Sequence, residues 1–242
     1  MTDKIRIFVD IDGTLARFHD EQLYLERMFE KGFFVGLKPF NNAVDAIKHI
    51  IDNPNVDVYV LSAAITTPYC LAEKNTWIDK YLPQIDKEHR IFVESTSTPK
   101  SLCVPGSYMY KDDNGKYHNK ISENDILIDD YNKNLEEWER DGGTAIKAKN
   151  NINHKGLNGA LWNGELIDIT DTADSIVERL TEIIVSREKG IEENHCFSVE
   201  INNIGDKFNS LTKCNSLDNA KRWVSSHIIN EIEAADEELE ID

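Results

Sequence analysis

The chain has 242 residues, 40% hydrophobic and 29% charged, with 27 Lys and Arg against 44 Asp and Glu for a net charge of −17. At roughly 150 residues per domain this allows one or two domains and a sizeable core. The acidic balance argues against an extended nucleic-acid surface, which needs cations to displace phosphate counterions, but leaves room for a small anionic substrate in one locally positive pocket.

The first predicted strand, Ile5 to Val9, runs into Asp10-Ile11-Asp12-Gly13-Thr14. A polar, helix-prone stretch follows over about 17–31, broken by the Gly- and Pro-containing segment 32–40. Residues 41–52 read as a helix with Ala43, Val44, Ile47, Ile50 and Ile51 on one face. A second strand, Val56 to Leu61, stops at Ser62-Ala63-Ala64, and a helix is expected over 69–82. Arg90 to Val93 is a third strand, followed by a loop with Pro99-Lys100. Residues 104–122 suggest an irregular or hairpin insertion. Asp125 to Ile128 is a fourth strand, halted by Asp129-Asp130, then come a helix over 132–140 and a fifth strand, Thr144 to Ala148. The clearest amphipathic helix spans 173–187, with Ile176, Val177, Leu180, Ile183 and Ile184 on one stripe. Beyond it, Phe197 to Ile201 alternates like a half-buried strand, 217–232 looks helical, and the last twelve residues hold seven acids and no Lys or Arg. Strands alternating with helices imply a mainly parallel sheet built from βαβ units.

No apolar run reaches the roughly 18 residues of a membrane span, and Met1–Asp10 lacks a secretory h-region. Cys70, Cys103, Cys196 and Cys214 form no CxxC pair, so reduced thiols in a cytoplasmic protein are expected and a structural zinc site is not.

Three apolar strands end in polar residues: the first at Asp10 and Asp12, the second at Ser62, the fourth at Asp129 and Asp130. Ligands of open parallel sheets bind beyond the carboxyl ends of the strands, so these positions are expected to converge. Four gathered carboxylates would repel one another, and a divalent cation relieves that; an all-oxygen set suits Mg²⁺ rather than zinc. The same set suits phosphoryl transfer. One carboxylate attacks phosphorus, and a second, two residues on, serves as acid and base. Ser62 and a lysine would hold the equatorial oxygens, with Thr14 and the main chain around Gly13 assisting. Taken singly, these residues have plainer readings: the aspartates as turn caps, Ser62 as an ordinary strand residue, Lys100 as a surface lysine.

Asp10-Ile11-Asp12-Gly13-Thr14 after an apolar strand resembles the first motif of the haloacid dehalogenase superfamily; Ser62 resembles the second, Lys100 the third and Asp129-Asp130 the fourth, in order. The stretches GFFVGLKPFNNAVDAIKHI, VDVYVLSAA, EKNTWIDKYLP and DILIDDYNKNLEEWE are similar to the cytosolic type C 5′-nucleotidases, the 5′(3′)-deoxyribonucleotidases, over about residues 5–185. The resemblance implies a three-layer, Rossmann-like α/β core over 1–187 with a small helical cap at about 16–40, leaving 188–242 as a small α/β appendage with an acidic tail. It implies Asp10 as nucleophile and Asp12 as general acid and base. It implies Mg²⁺ on the Asp10 carboxylate, the Asp12 carbonyl and the acids Asp129 and Asp130, with the direct contact among these last two left open. Phosphate would lie against Gly13, Thr14, Ser62, Ala63 and Lys100, with Lys74 the weaker choice for the third-motif lysine. Phe18, Phe33 and Phe34 would stack on a nucleobase, although an aromatic pair beside glycines serves equally well as cap core. The residues after Ser62, Ala63-Ala64-Ile65, depart from the family, so base preference does not carry over.

The expected activity is Mg²⁺-dependent hydrolysis of a nucleoside 5′-monophosphate, the deoxy form included, through an aspartyl-phosphate. The alternatives are a phosphatase for another small ester or a nucleic-acid end, and a nucleotide-binding module without turnover. Oligomeric state is not legible, and a homodimer is compatible with the sequence.

Overall fold

A computed structural model describes residues 4–21, 25–95, 97–150, 152, 162–194, 197–202 and 209–214. The chain divides into two compact units, Met1–Ile184 and Val185–Asp242.

The first unit is a six-stranded sheet flanked by helices. In chain order it contains β1 (Ile5–Val9), α1 (Phe33–Gly36), α2 (Asn41–Ile51), β2 (Val56–Ala63), α3 (Cys70–Tyr81) and β3 (Arg90–Val93). The hairpin β4 (Tyr108–Lys111) and β5 (Tyr117–Lys120) follows, then β6 (Asp125–Asp129), α4 (Asn132–Arg140), β7 (Thr144–Lys149), β8 (Glu165–Asp168) and the start of α5 (Ala173–Asn194). The sheet order is β3-β2-β1-β6-β7-β8, and all its pairings are parallel. This is the expected α/β class, with one strand more than the sequence reading counted. Beyond Ile184, β9 (Phe197–Asn202) and β10 (Asn209–Cys214) form an antiparallel hairpin. The helix expected at 217–232 and the acidic tail lie outside the described residues.

Alternation along the strands builds the core. Phe8, Leu127 and Ala145 stand in register on one face and pack with Leu61 against Leu135 and Trp138 of α4. The Trp138 indole N–H donates to the Asp125 carbonyl at 2.9 Å, so the buried ring leaves no polar atom unmatched. The other face carries Ile7, Val9, Val60, Ile126 and Ile128, all buried. α2 packs on β2 with Ala43, Val44, Ala46, Ile47 and Ile50 turned inward.

One expectation is corrected. Residues 17–31 do not form one helix: they contain 3₁₀ turns at Phe18–Glu21 and Leu25–Phe29. Intrinsic helix propensity, on which that reading rested, is a weak prior that tertiary context overrides. Lys100 follows β3 and Pro99, and opens a 3₁₀ turn, Lys100–Cys103, that buries it.

The strand order positions the site. β1 leads towards β2 on one side, whereas β6 leads towards β7 on the other. Their carboxyl ends therefore flank a topological switch point, where the connections diverge and leave a crevice. Val9 pairs with Ile128, so Asp10 and Asp129 emerge there side by side.

Candidate active site

Asp10, Asp129 and Asp130 each offer a carboxylate oxygen within 4.8 Å of the others. Lys100 bridges two of them, its Nζ donating to Asp10 Oδ1 at 2.7 Å and Asp129 Oδ2 at 2.6 Å. Lys100, Asp10 and Asp129 are buried, Asp129 fully so, and Asp130 is partly exposed. Burial pulls the Lys100 ammonium down, yet the two carboxylates outweigh it and hold it above the usual lysine range. Asp129 is pushed up to about 6, chiefly by burial, with Asp10 and Asp130 adding to the rise against Lys100. Asp129 also accepts from the Tyr131 amide at 2.8 Å and from Asn134 Nδ2 at 2.9 Å.

Asp12 points elsewhere. Its Oδ2 accepts from Lys74 Nζ at 2.5 Å, while its Oδ1 is buried with no hydrogen-bond partner among the described residues. Burial raises the Asp12 carboxyl and Lys74 opposes the rise, with the Asp10 charge adding to it. Lys74 also donates to Ser62 Oγ at 3.0 Å and the Ala63 carbonyl at 2.6 Å. The site thus holds both lysines considered from sequence, Lys100 on Asp10 and Asp129 and Lys74 on Asp12.

Gly13 turns the chain at φ +83°, which L side chains rarely adopt, and a Cβ there would lie 2.3 Å from Asp130 Oδ2. Its N–H donates to the Ala16 carbonyl and that of Thr14 to the Ile11 carbonyl. Both amides are therefore spent inside the turn, and neither residue is on the wall of the cavity described next. Thr14 Oγ1 is buried with no partner among the described residues.

A cavity of about 640 Å³ opens over this group. Its wall includes Asp10, Asp12, Ser62, Ala63, Lys100, Asp129 and Asp130, further polar residues such as His19, Ser95 and Lys133, and the apolar Phe18, Met28, Phe34 and Ile65. Phe33 is not on its wall: it packs edge-on between Phe18 and Phe34, with ring centroids 5.6 and 5.1 Å away. The segment around α1 is tied to α3, where the buried Glu73 accepts from the amides of Gly32 at 2.6 Å and Phe34 at 3.1 Å. The Trp77 indole reaches the Leu37 carbonyl at 2.8 Å.

Several contributors escaped sequence reasoning. His19 Nε2 lies 3.1 Å from Asp130 Oδ2, a hydrogen bond that raises the imidazole above its ordinary value; nothing in the local sequence marks it. Asn150 donates to the Gly13 carbonyl at 2.9 Å and Asp130 Oδ2 at 3.2 Å. It follows β7 directly, so the strand-end rule that picked out Asp10 and Asp129 would have found it. Lys147, in register with Asp129, donates to the Asp130 carbonyl and to Asn132.

The donor set fits a hard divalent cation: three convergent carboxylates, no thiol or imidazole among them, and an excess of negative charge that Lys100 alone does not cancel.

The family described as "5′ nucleotidase, deoxy (Pyrimidine), cytosolic type C protein" matches residues 16–140, about half of the chain. The chain belongs to this family. Asp10 and Asp12 lie just ahead of the matched residues, whereas Ser62, Lys74, Lys100, Asp129 and Asp130 fall inside them. Among relatives, a Staphylococcus epidermidis protein named provisionally as a 5′(3′)-deoxyribonucleotidase is 31% identical over 72 residues, 30% of this chain and 39% of its own. The mitochondrial 5′(3′)-deoxyribonucleotidase of Homo sapiens is 38% identical over 52 residues, 21% of this chain and 23% of its own. These nucleotidase matches thus span under two fifths of the relatives' own length.

Proposed function

We propose that this protein is a Mg²⁺-dependent phosphatase of nucleoside 5′-monophosphates, deoxyribonucleotides among them, acting through an aspartyl-phosphate. The observation that carries the reading is the meeting of Asp10, Asp12, Ser62, Lys100, Asp129 and Asp130 in a single cavity whose wall also includes the aromatic rings Phe18 and Phe34. Family membership and the names of the relatives support the nucleotide class.

An Asp10 carboxylate oxygen attacks phosphorus while the bond to the nucleoside oxygen breaks. Asp12 gives its proton to that leaving oxygen, so the nucleoside departs as an alcohol. Asp12, now a carboxylate, takes a proton from water; the water oxygen attacks phosphorus, the bond to Asp10 breaks, and inorganic phosphate leaves. Burial of Asp12, which favours its protonated form, suits the first step. Lys100 holds Asp10 in aim and, with Ser62 and Ala63, faces the phosphoryl oxygens. Asp10, Asp129 and Asp130, with the Asp12 carbonyl, would hold Mg²⁺, which supplies charge neutralisation to the phosphoryl group. Phe18 and Phe34 offer ring surface to the base, and Phe33 supports them.

This chemistry belongs to the unit Met1–Ile184. A malachite-green screen of ribo- and deoxyribonucleoside monophosphates, sugar phosphates and phosphorylated oligonucleotide ends, with Mg²⁺ and with EDTA, tests the reading. Mononucleotide turnover that EDTA abolishes is expected. Turnover confined to another ester class, or nucleotide binding without phosphate release, contradicts it.

A further inference from the structure

Lys74 occupies a costly position. The inward face of α3 is formed by Cys70, Glu73, Lys74, Trp77 and Ile78, a helical stripe where apolar residues are the norm. Lys74 is only 1% exposed. A buried ammonium is tolerated only when charge and hydrogen bonds are both matched. Here its three N–H groups have three acceptors, Asp12 Oδ2, Ser62 Oγ and the Ala63 carbonyl. The Phe34 ring lies 4.9 Å from the same nitrogen. A side chain with every donor used cannot swing, so its acceptors are fixed with it.

This matters for Asp12, because its two oxygens are unlike. Oδ2 takes the Lys74 hydrogen bond, and an oxygen accepting from an ammonium is not the one that carries a proton. Oδ1 is the oxygen without a partner among the described residues. Lys100 does not share this task, since its ammonium spans Asp10 and Asp129. We infer that Lys74 is a positioning residue for proton transfer: it anchors Asp12 through Oδ2 and thereby presents Oδ1 to the leaving oxygen, while fixing Ser62 beside it. The inference rests on the phosphatase reading above. In the step concerned, the proton on Asp12 Oδ1 passes to the ester oxygen as its bond to phosphorus breaks and the bond from Asp10 forms. Lys74 exchanges no proton.

Leaving-group chemistry separates this role from simple phosphate binding. The best mononucleotide of the screen is compared with its analogue in which sulfur replaces the 5′-bridging oxygen; the thiolate leaves without needing a proton. Lys74→Met and Lys74→Gln are measured for kcat/KM on both, each pair of values from one preparation, so that any misfolded fraction cancels in the ratio. The oxygen ester is expected to lose about a hundredfold, the lower range for general-acid catalysis. The sulfur ester is expected to lose at least about tenfold less. Equal losses on both esters, or no loss on either, overturn the inference while leaving the phosphatase reading intact. A wild-type protein that cleaves neither ester removes the phosphatase reading and this inference with it.

Discussion

Replacing Lys100 by Met separates the electrostatics of the site from its chemistry. Lys100 is 4% exposed, and its ammonium lies 2.7 Å from Asp10 and 2.6 Å from Asp129. Methionine fills similar space but leaves two buried carboxylates without their cation. Removing one partner of a buried ion pair costs about 3–5 kcal/mol. Asp129 keeps the Tyr131 amide and Asn134 as donors, so the lower half of that range applies. For a domain of this size each kcal/mol shifts Tm by roughly 2–4 °C, giving a drop of about 6–16 °C in EDTA. Saturating Mg²⁺ recovers part of the drop, because the ion supplies the missing positive charge. The pH dependence has a definite sign. In the folded protein without a metal, burial pushes the Asp129 carboxyl up to about 6, above the ordinary aspartate value of 3.8. Between those values the native state binds more protons than the unfolded chain, so stability falls as pH rises. Loss of Lys100 raises Asp129 further, and the gap between variant and wild type widens from pH 5 to pH 8. Thermal melts in EDTA across that range measure it. A variant as stable as wild type at pH 7.5, or a gap that narrows as pH rises, refutes the reasoning.

Two other variants probe the same crevice. Asp10→Asn is expected to fold, judged by an unchanged circular dichroism spectrum, and to retain less than a few per cent of wild-type turnover; greater retention contradicts nucleophilic attack by this side chain. Gly13→Ala forces a side chain into a backbone at φ +83° and against Asp130, costing about 1–2 kcal/mol for the left-handed conformation alone. Displacement of Asp130 should raise the Mg²⁺ concentration for half-maximal activity at least about tenfold, on the scale of a lost ligand-orienting contact, and an unchanged Mg²⁺ titration argues against Asp130 as a ligand.

The sheet was legible because its strands are short apolar runs with sharp polar ends. Ile5–Val9 stopping at Asp10 and Asp125–Ile128 stopping at Asp129 gave both the strands and the acids that meet at the switch point. β8 was missed because Glu165–Asp168 offers only four residues, with Ile167 alone buried, too little for alternation to register. The aromatic lining of the cavity was half legible. The resemblance pointed to Phe18, Phe33 and Phe34, but which rings face the cavity depends on how Glu73 and Trp77 dock the segment from Gly32 to Leu37, contacts 39 to 41 residues apart in the chain. Lys74 shows the limit most clearly. On a helical wheel it is a lysine on the wrong face, and only the tertiary structure shows the carboxylate and hydroxyl that make its burial tolerable.

The most direct measurement is to catch the intermediate. Protein mixed with excess mononucleotide and Mg²⁺ is quenched in acid during turnover, reduced with borohydride and sequenced by mass spectrometry. Homoserine in place of aspartate at position 10, absent without nucleotide, is the expected result. Steady phosphate release with Asp10 unmodified, or with the modification on another carboxylate, contradicts it.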